Sequence, residues 1–116
     1  MINGSHVIIY SRDPSADRTF CREVLGLPHV EAGEGWLKFG LPAAEVAFHP
    51  ADENDRHEFY FLTKTIDDFV EKMRALGVET SPVEDRGWGL ITLLTLPGGG
   101  RLGVYEPRHA RPAALS

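Results

Sequence analysis

The hydrophobic and polar positions fall into two successive patterns of the same kind. Residues 5–12, SHVIIYSR, form a run of β-branched and aromatic side chains that predicts a strand. Asp13-Pro14 then supplies an N-cap acid followed by the proline favoured at a first helical position. Ala16, Phe20 and Val24 recur at helical spacing, and Gly26 ends the pattern, so a helix of about three turns is expected. Three short strand candidates follow, at 29–33, 35–40 and 44–50, punctuated by Gly33, Gly35, Gly40 and Pro42.

After the polar stretch ADENDR (51–56) the pattern begins again. HEFYFLT (57–63) predicts a strand, and Thr65 with Asp68 three residues on is a helix-start signal. Ile66, Phe69, Val70, Met73 and Leu76 make one apolar helix face closed by Gly77. Strands are expected at 78–83, 88–96 and 101–107. One constant offset carries His6 onto His57, Leu25 onto Leu76 and Gly26 onto Gly77. Gly35-Trp36 falls on Gly87-Trp88 with one residue inserted, and Phe48-His49-Pro50 answers Tyr105-Glu106-Pro107. The chain therefore reads as one α+β domain of two βαβββ repeats, repeat one over 1–51 and repeat two over 55–107, with a solvated tail at 108–116. One such unit leaves the inner face of its sheet bare. Two units related by a pseudo-twofold axis give a curved, partly closed eight-stranded sheet around a cleft, with the helices outside.

Composition narrows the function. The chain has 116 residues, enough for one core, and a formal net charge of −5 that repels phosphate backbones. No basic run interleaves with aromatics, so nucleic-acid binding is not expected. A signal peptide and an apolar span of membrane length are both missing from the pattern, which predicts a cytoplasmic protein. Cys21 is the single cysteine, with Phe20 and Val24 as neighbours, and reads as a buried thiol rather than a nucleophile. A small-molecule cleft is the function class that remains.

Side chains alternate along a strand, so His6, Ile8 and Tyr10 share one face, and His57, Phe59 and Phe61 share the matching face of the second repeat. Strands set beside the pseudo-twofold axis would bring the two imidazoles together, the beginning of a divalent metal site. Each histidine is otherwise a strand-end residue with a satisfied hydrogen bond. His29, His49 and His109 read as incidental.

HVIIYSRDPSADRTFCREVLGL, HEFYFLTKTIDDFVEKMRALGV and LPGGGRLGVYEP together resemble the vicinal oxygen chelate superfamily, which includes glyoxalase I, extradiol dioxygenases, fosfomycin-resistance thiol transferases and bleomycin-resistance proteins. The resemblance covers residues 3–107. It implies that metal-dependent members bind the ion with a histidine early in the first strand, a histidine opening the fifth and a glutamate in the last. His6 and His57 match the first two positions, but Gly103 stands where the glutamate belongs and Val46 at the corresponding first-half position. LPGG also replaces an Asp-Pro-x-Gly turn. Two imidazoles without a carboxylate hold a divalent ion with one bond fewer and no charge compensation. Glu106, three residues past Gly103, is a substitute donor only through a β-bulge, since strand alternation points it to the opposite face.

Glycine at 103 leaves room for another group or merely relieves crowding. Tyr10, Trp36, Phe59, Trp88, Gly103 and Tyr105 are the expected ligand-binding positions, in a cleft suited to a flat or apolar molecule. Three functions follow in order: a small-organic-molecule binding protein with a degenerate metal site; a metal-dependent lyase, isomerase, dioxygenase or thiol transferase using His6, His57 and an Fe, Mn, Zn or Ni ion; or a structural partner protein with a vestigial cleft. The resemblance also implies a homodimer.

Overall fold

The computed structural model describes residues 6–33, 37–45 and 47–112, so Trp36 and Val46 lie outside the described residues. The architecture is mixed α and β, with two helices and two sheets among the described residues. The backbone divides into two units, residues 1–39 with 96–100, and residues 40–95 with 101–116.

In the first unit, helix α1 (Pro14–Glu23) begins where the sequence predicts. The Asp13 carboxylate accepts a hydrogen bond from Ala16 N at 3.1 Å, satisfying a helix donor that would otherwise lack a partner. Gly26 adopts φ 64°, a left-handed conformation open to glycine, and stops the helix. Phe20 is the side chain α1 buries, and burial together with the nearby Asp17 carboxylate raises the pKa of the adjacent Cys21 thiol. Strands β1 (His29–Glu31) and β2 (Leu37–Phe39) pair antiparallel as a small sheet. The glycine-rich loop Leu96–Gly100 belongs to this unit. Gly98 N donates to Asp17 Oδ1 at 2.8 Å, and a side chain at position 98 would run into that carboxylate and the Ser11 hydroxyl.

The second unit is a four-stranded sheet in the order β3-β6-β5-β4, backed by helix α2 (Ile66–Ala75). Its strands are β3 (Tyr60–Leu62), β4 (Glu84–Asp85), β5 (Gly89–Thr95) and β6 (Arg101–Pro107). Strand β3 runs parallel to β6, and the other pairs are antiparallel. The core lies between α2 and one face of this sheet, where Ile66, Met73, Leu94, Leu102 and Val104 are buried. Full burial of one such side chain contributes about 1.5–3 kcal/mol.

Thr65 sits at the N-cap of α2, but its side chain makes no capping bond. Glu106 does that work from the sheet, its Oε1 accepting from Ile66 N at 3.0 Å. A carboxylate at this end of a helix also meets the positive end of the macrodipole. Glu106→Ala is expected to lower the unfolding free energy by about 1 kcal/mol. Chemical denaturation reads the change, and an undiminished stability would show that α2 does not depend on this cap.

Between β4 and the bridge Thr80↔Leu94 the register against β5 slips by one residue, a bulge next to Pro82. Side chains satisfy the irregular backbone there. Thr92 Oγ1 donates to the Ser81 carbonyl at 2.7 Å, and Leu93 N donates to Ser81 Oγ at 2.8 Å. This explains why a threonine is tolerated at 1% exposure.

Three expectations change: residues 78–83, read as a strand, hold only the single bridge Thr80↔Leu94, and the strand falls at Glu84–Asp85. Residues 6–12 and 44–50, read as strands, form no ladder among the described residues. Apolar composition favours an extended backbone, but a strand exists only where a neighbour takes up its hydrogen bonds, and Val7, Ile8, Ile9 and Tyr10 are instead exposed. The part of the tail at 108–112, read as solvated, is tied down by hydrogen bonds and ion pairs.

Candidate functional site

The register of the second sheet decides which side chains share its uncovered face. Tyr60 is opposite Gly103 and Leu62 opposite Tyr105, while Ile91 and Leu93 stand against Tyr105 and Gly103 from the other side. These residues therefore point away from α2. Phe61 is opposite Val104 and faces the helix side, and the Phe59 ring packs edge-on against it at 5.0 Å. The expected placement of Phe59 on the ligand face is corrected accordingly. Aromatics at 59, 60 and 61 leave the parity open in the sequence; pairing with β6 selects Tyr60.

Gly103 is explained by the same register. A Cβ at 103 would overlap Cδ1 and Cε1 of the Tyr60 ring and sit 3.2 Å from its Cγ. The ring of Tyr60 lies where a side chain from position 103 would start. Its hydroxyl donates to Glu58 Oε2 at 2.6 Å, and that bond, followed by burial, raises the phenol above its ordinary pKa.

Tyr105 is the centre of the face. Tyr60 and Trp88 meet its ring edge-on, with centroids at 5.4 and 5.2 Å, a geometry favoured by the ring quadrupoles. Its hydroxyl lies 3.3 Å from His109 Nε2, and His109 Nδ1 lies 2.8 Å from the Ala110 carbonyl. A carbonyl can only accept, so Nδ1 carries a proton, and in the neutral ring Nε2 accepts from the phenol. Burial, followed by the Glu45 carboxylate, raises the Tyr105 pKa, with Arg111 opposing. His109 and Tyr60 are members of the face that the sequence reading missed. A His two residues after the strand-ending Pro107 carried no signal, and Tyr60 carried one only through register.

A hollow of about 160 Å³ opens on this side, lined by Tyr60, Ser81, Glu84, Arg86, Ile91 and Leu93. Its lining combines the apolar Ile91 and Leu93 with an ion pair between Arg86 and Glu84 at 2.8 Å. This surface can take a flat or apolar group and offer it a phenol, a hydroxyl and two opposite charges at the rim.

Of the expected metal ligands, His6 is exposed ahead of α1, and His57 is exposed three residues ahead of β3. The third donor fails to fit. Gly103 has no side chain, the space above it holds the Tyr60 ring, and Glu106 is engaged by Ile66 N on the helix side. No group of three His, Cys, Asp or Glu side chains suited to a metal ion occurs among the described residues. Tyr10 is 90% exposed in the first unit.

The architecture is one already known from solved structures. TnmS3, an antibiotic binding protein from Streptomyces sp. CB03234, superposes with TM-score 0.64 and 19% identity, over 92% of this chain and 99% of that one. A lactoylglutathione lyase from Agrobacterium tumefaciens gives TM-score 0.63 and 20% identity, over 90% and 95% of the two chains. A glyoxylase/bleomycin resistance protein/dioxygenase domain from Frankia sp. EAN1pec gives 0.64 and 16%, over 93% and 99%. No protein-family model matches the sequence, and no curated protein matches it significantly. The fold is thus the one seen in these glyoxalase and bleomycin-resistance structures. No helix among the described residues is long and apolar enough to cross a membrane.

Proposed function

We propose that this chain is a small-organic-molecule binding protein of the glyoxalase/bleomycin-resistance type whose metal site is degenerate. The observation that carries this reading is the Tyr60 ring over Gly103. A position at which relatives would present a carboxylate is given to an aromatic surface, continuous with Tyr105 and Trp88. That exchange removes charge compensation for an ion and adds area for stacking. One structural neighbour is an antibiotic binding protein, which agrees with it. The reading includes the two repeats 1–51 and 55–107, a sheet completed to eight strands around a cleft, a homodimer and a cytoplasmic location. The exposed run Val7–Tyr10 supports the further strand pairing, within the chain or with a second copy.

Titration of planar aromatic compounds against the intrinsic tryptophan fluorescence tests the proposal. At least one is expected to bind with a Kd unchanged by exhaustive chelation, and Tyr105→Ala is expected to weaken it by roughly tenfold. Binding lost on chelation and restored by Fe, Mn, Zn or Ni would favour the metal-dependent enzyme using His6 and His57.

A further inference from the structure

The chain beyond β6 does not leave the sheet freely. Arg108 N donates to the Trp88 carbonyl at 2.8 Å, and its guanidinium pairs with Asp85 Oδ2 at 3.0 Å. His109 then lies against Tyr105, its Nε2 accepting from the phenol and the rings 6.0 Å apart. Two residues later Arg111 Nε donates to Glu45 Oε1 at 2.7 Å, with side chains only 24% and 20% exposed. Each of the four other ion pairs of residues 56–111, whose side chains are about half exposed or more, joins groups better solvated than this one. A charge-assisted bond shielded from water holds more strongly than an exposed pair.

These contacts share one geometry. They run from Trp88 across the hydroxyl end of Tyr105 to the segment bearing Glu45, all within the second unit. Asp85 is held well ionised for its part, its pKa lowered first by the Gly87 backbone N–H and then by Arg108.

We propose that residues 108–112 are a latched strap closing the Tyr105 end of the sheet face, with the Glu45–Arg111 pair as its latch. Its role in admitting a ligand rests on the binding reading above, but the strap and its latch do not. When the latch opens, His109 swings off the Tyr105 hydroxyl and the phenol edge becomes reachable. When it is closed, a ligand reaching the Tyr105 hydroxyl must displace His109.

Nitration of the 116-residue chain by tetranitromethane, with peptide mapping by mass spectrometry, reads the access to each tyrosine. Tyr10, at 90% exposure, serves as the internal standard. Arg111→Gln separates two causes by sign. Loss of the guanidinium alone raises the Tyr105 pKa and slows nitration, because Arg111 is the group that lowers it. Opening the strap speeds it. The expected result is a Tyr105 rate raised roughly fivefold relative to Tyr10, with the far-ultraviolet circular dichroism unchanged. The reversed pair, Glu45→Arg with Arg111→Glu, is expected to return the rate to that of the native chain. A Tyr105 rate that is unchanged or slower in Arg111→Gln, or a reversed pair that stays fast, overturns the latch. Neither readout requires a ligand, so failure here is distinct from failure of the binding proposal.

Discussion

Alanine at position 103 is expected to lower the unfolding free energy by about 2 kcal/mol, despite replacing glycine within a strand. Removing a strand glycine ordinarily stabilises by limiting the unfolded chain. Here the new methyl group overlaps Cδ1 and Cε1 of Tyr60. Moving the ring means giving up the edge-on contact with Tyr105 and the bond to Glu58. Chemical denaturation of Gly103→Ala, Tyr60→Ala and the double variant forms a cycle. In the Tyr60→Ala background the alanine at 103 should be neutral or slightly stabilising. A cost independent of Tyr60 would mean that the glycine serves the backbone, and the explanation of the missing carboxylate by ring packing would fall. Restoring a glutamate at 103 meets the same obstacle, since every side chain begins with Cβ.

Leu94→Ala carries the other large effect, an expected loss of about 3 kcal/mol. Leu94 is 0% exposed and lies on the α2 side of β5, opposite Leu102. A cavity there cannot close easily, because sheet and helix hold its walls apart. Its neighbour Leu93 faces the other way, opposite Gly103, and is half-buried. Leu93→Ala is expected to cost about 1 kcal/mol, in proportion to the smaller area taken from water. Denaturation midpoints of the two variants measure the contrast. Equal losses would contradict the assignment of the two faces, and with it the position of the candidate site.

Much of the local structure was legible in the residues. Asp13-Pro14 and Gly26 bracket α1, and the Ile66, Met73 periodicity with Gly77 marks α2, because caps and helix faces depend on neighbours within a few positions. The long hairpin of β5 and β6 was legible for the same reason: its strands are continuous apolar runs joined by a glycine-rich turn. The site was less so. Tyr105, Trp88 and Gly103 were expected on the ligand face, and the second sheet brings them together. Phe59 was assigned one residue out of register, and a one-residue slip exchanges the two faces of a strand. Glu106, weighed as a metal donor, instead caps α2.

By itself the sequence determined the two helices with their boundaries, the hairpin of β5 and β6, and a glycine at 103 within its second strand. All of these depend on residue type and short-range spacing. Tertiary structure decided that Tyr60 fills the space above Gly103, that Glu106 serves a helix forty residues earlier in the chain, and that His109 closes on Tyr105. Those outcomes require the register of β3 against β6 and the path of the chain after Pro107. Both are set by which distant surfaces can be buried together, a property no local pattern contains.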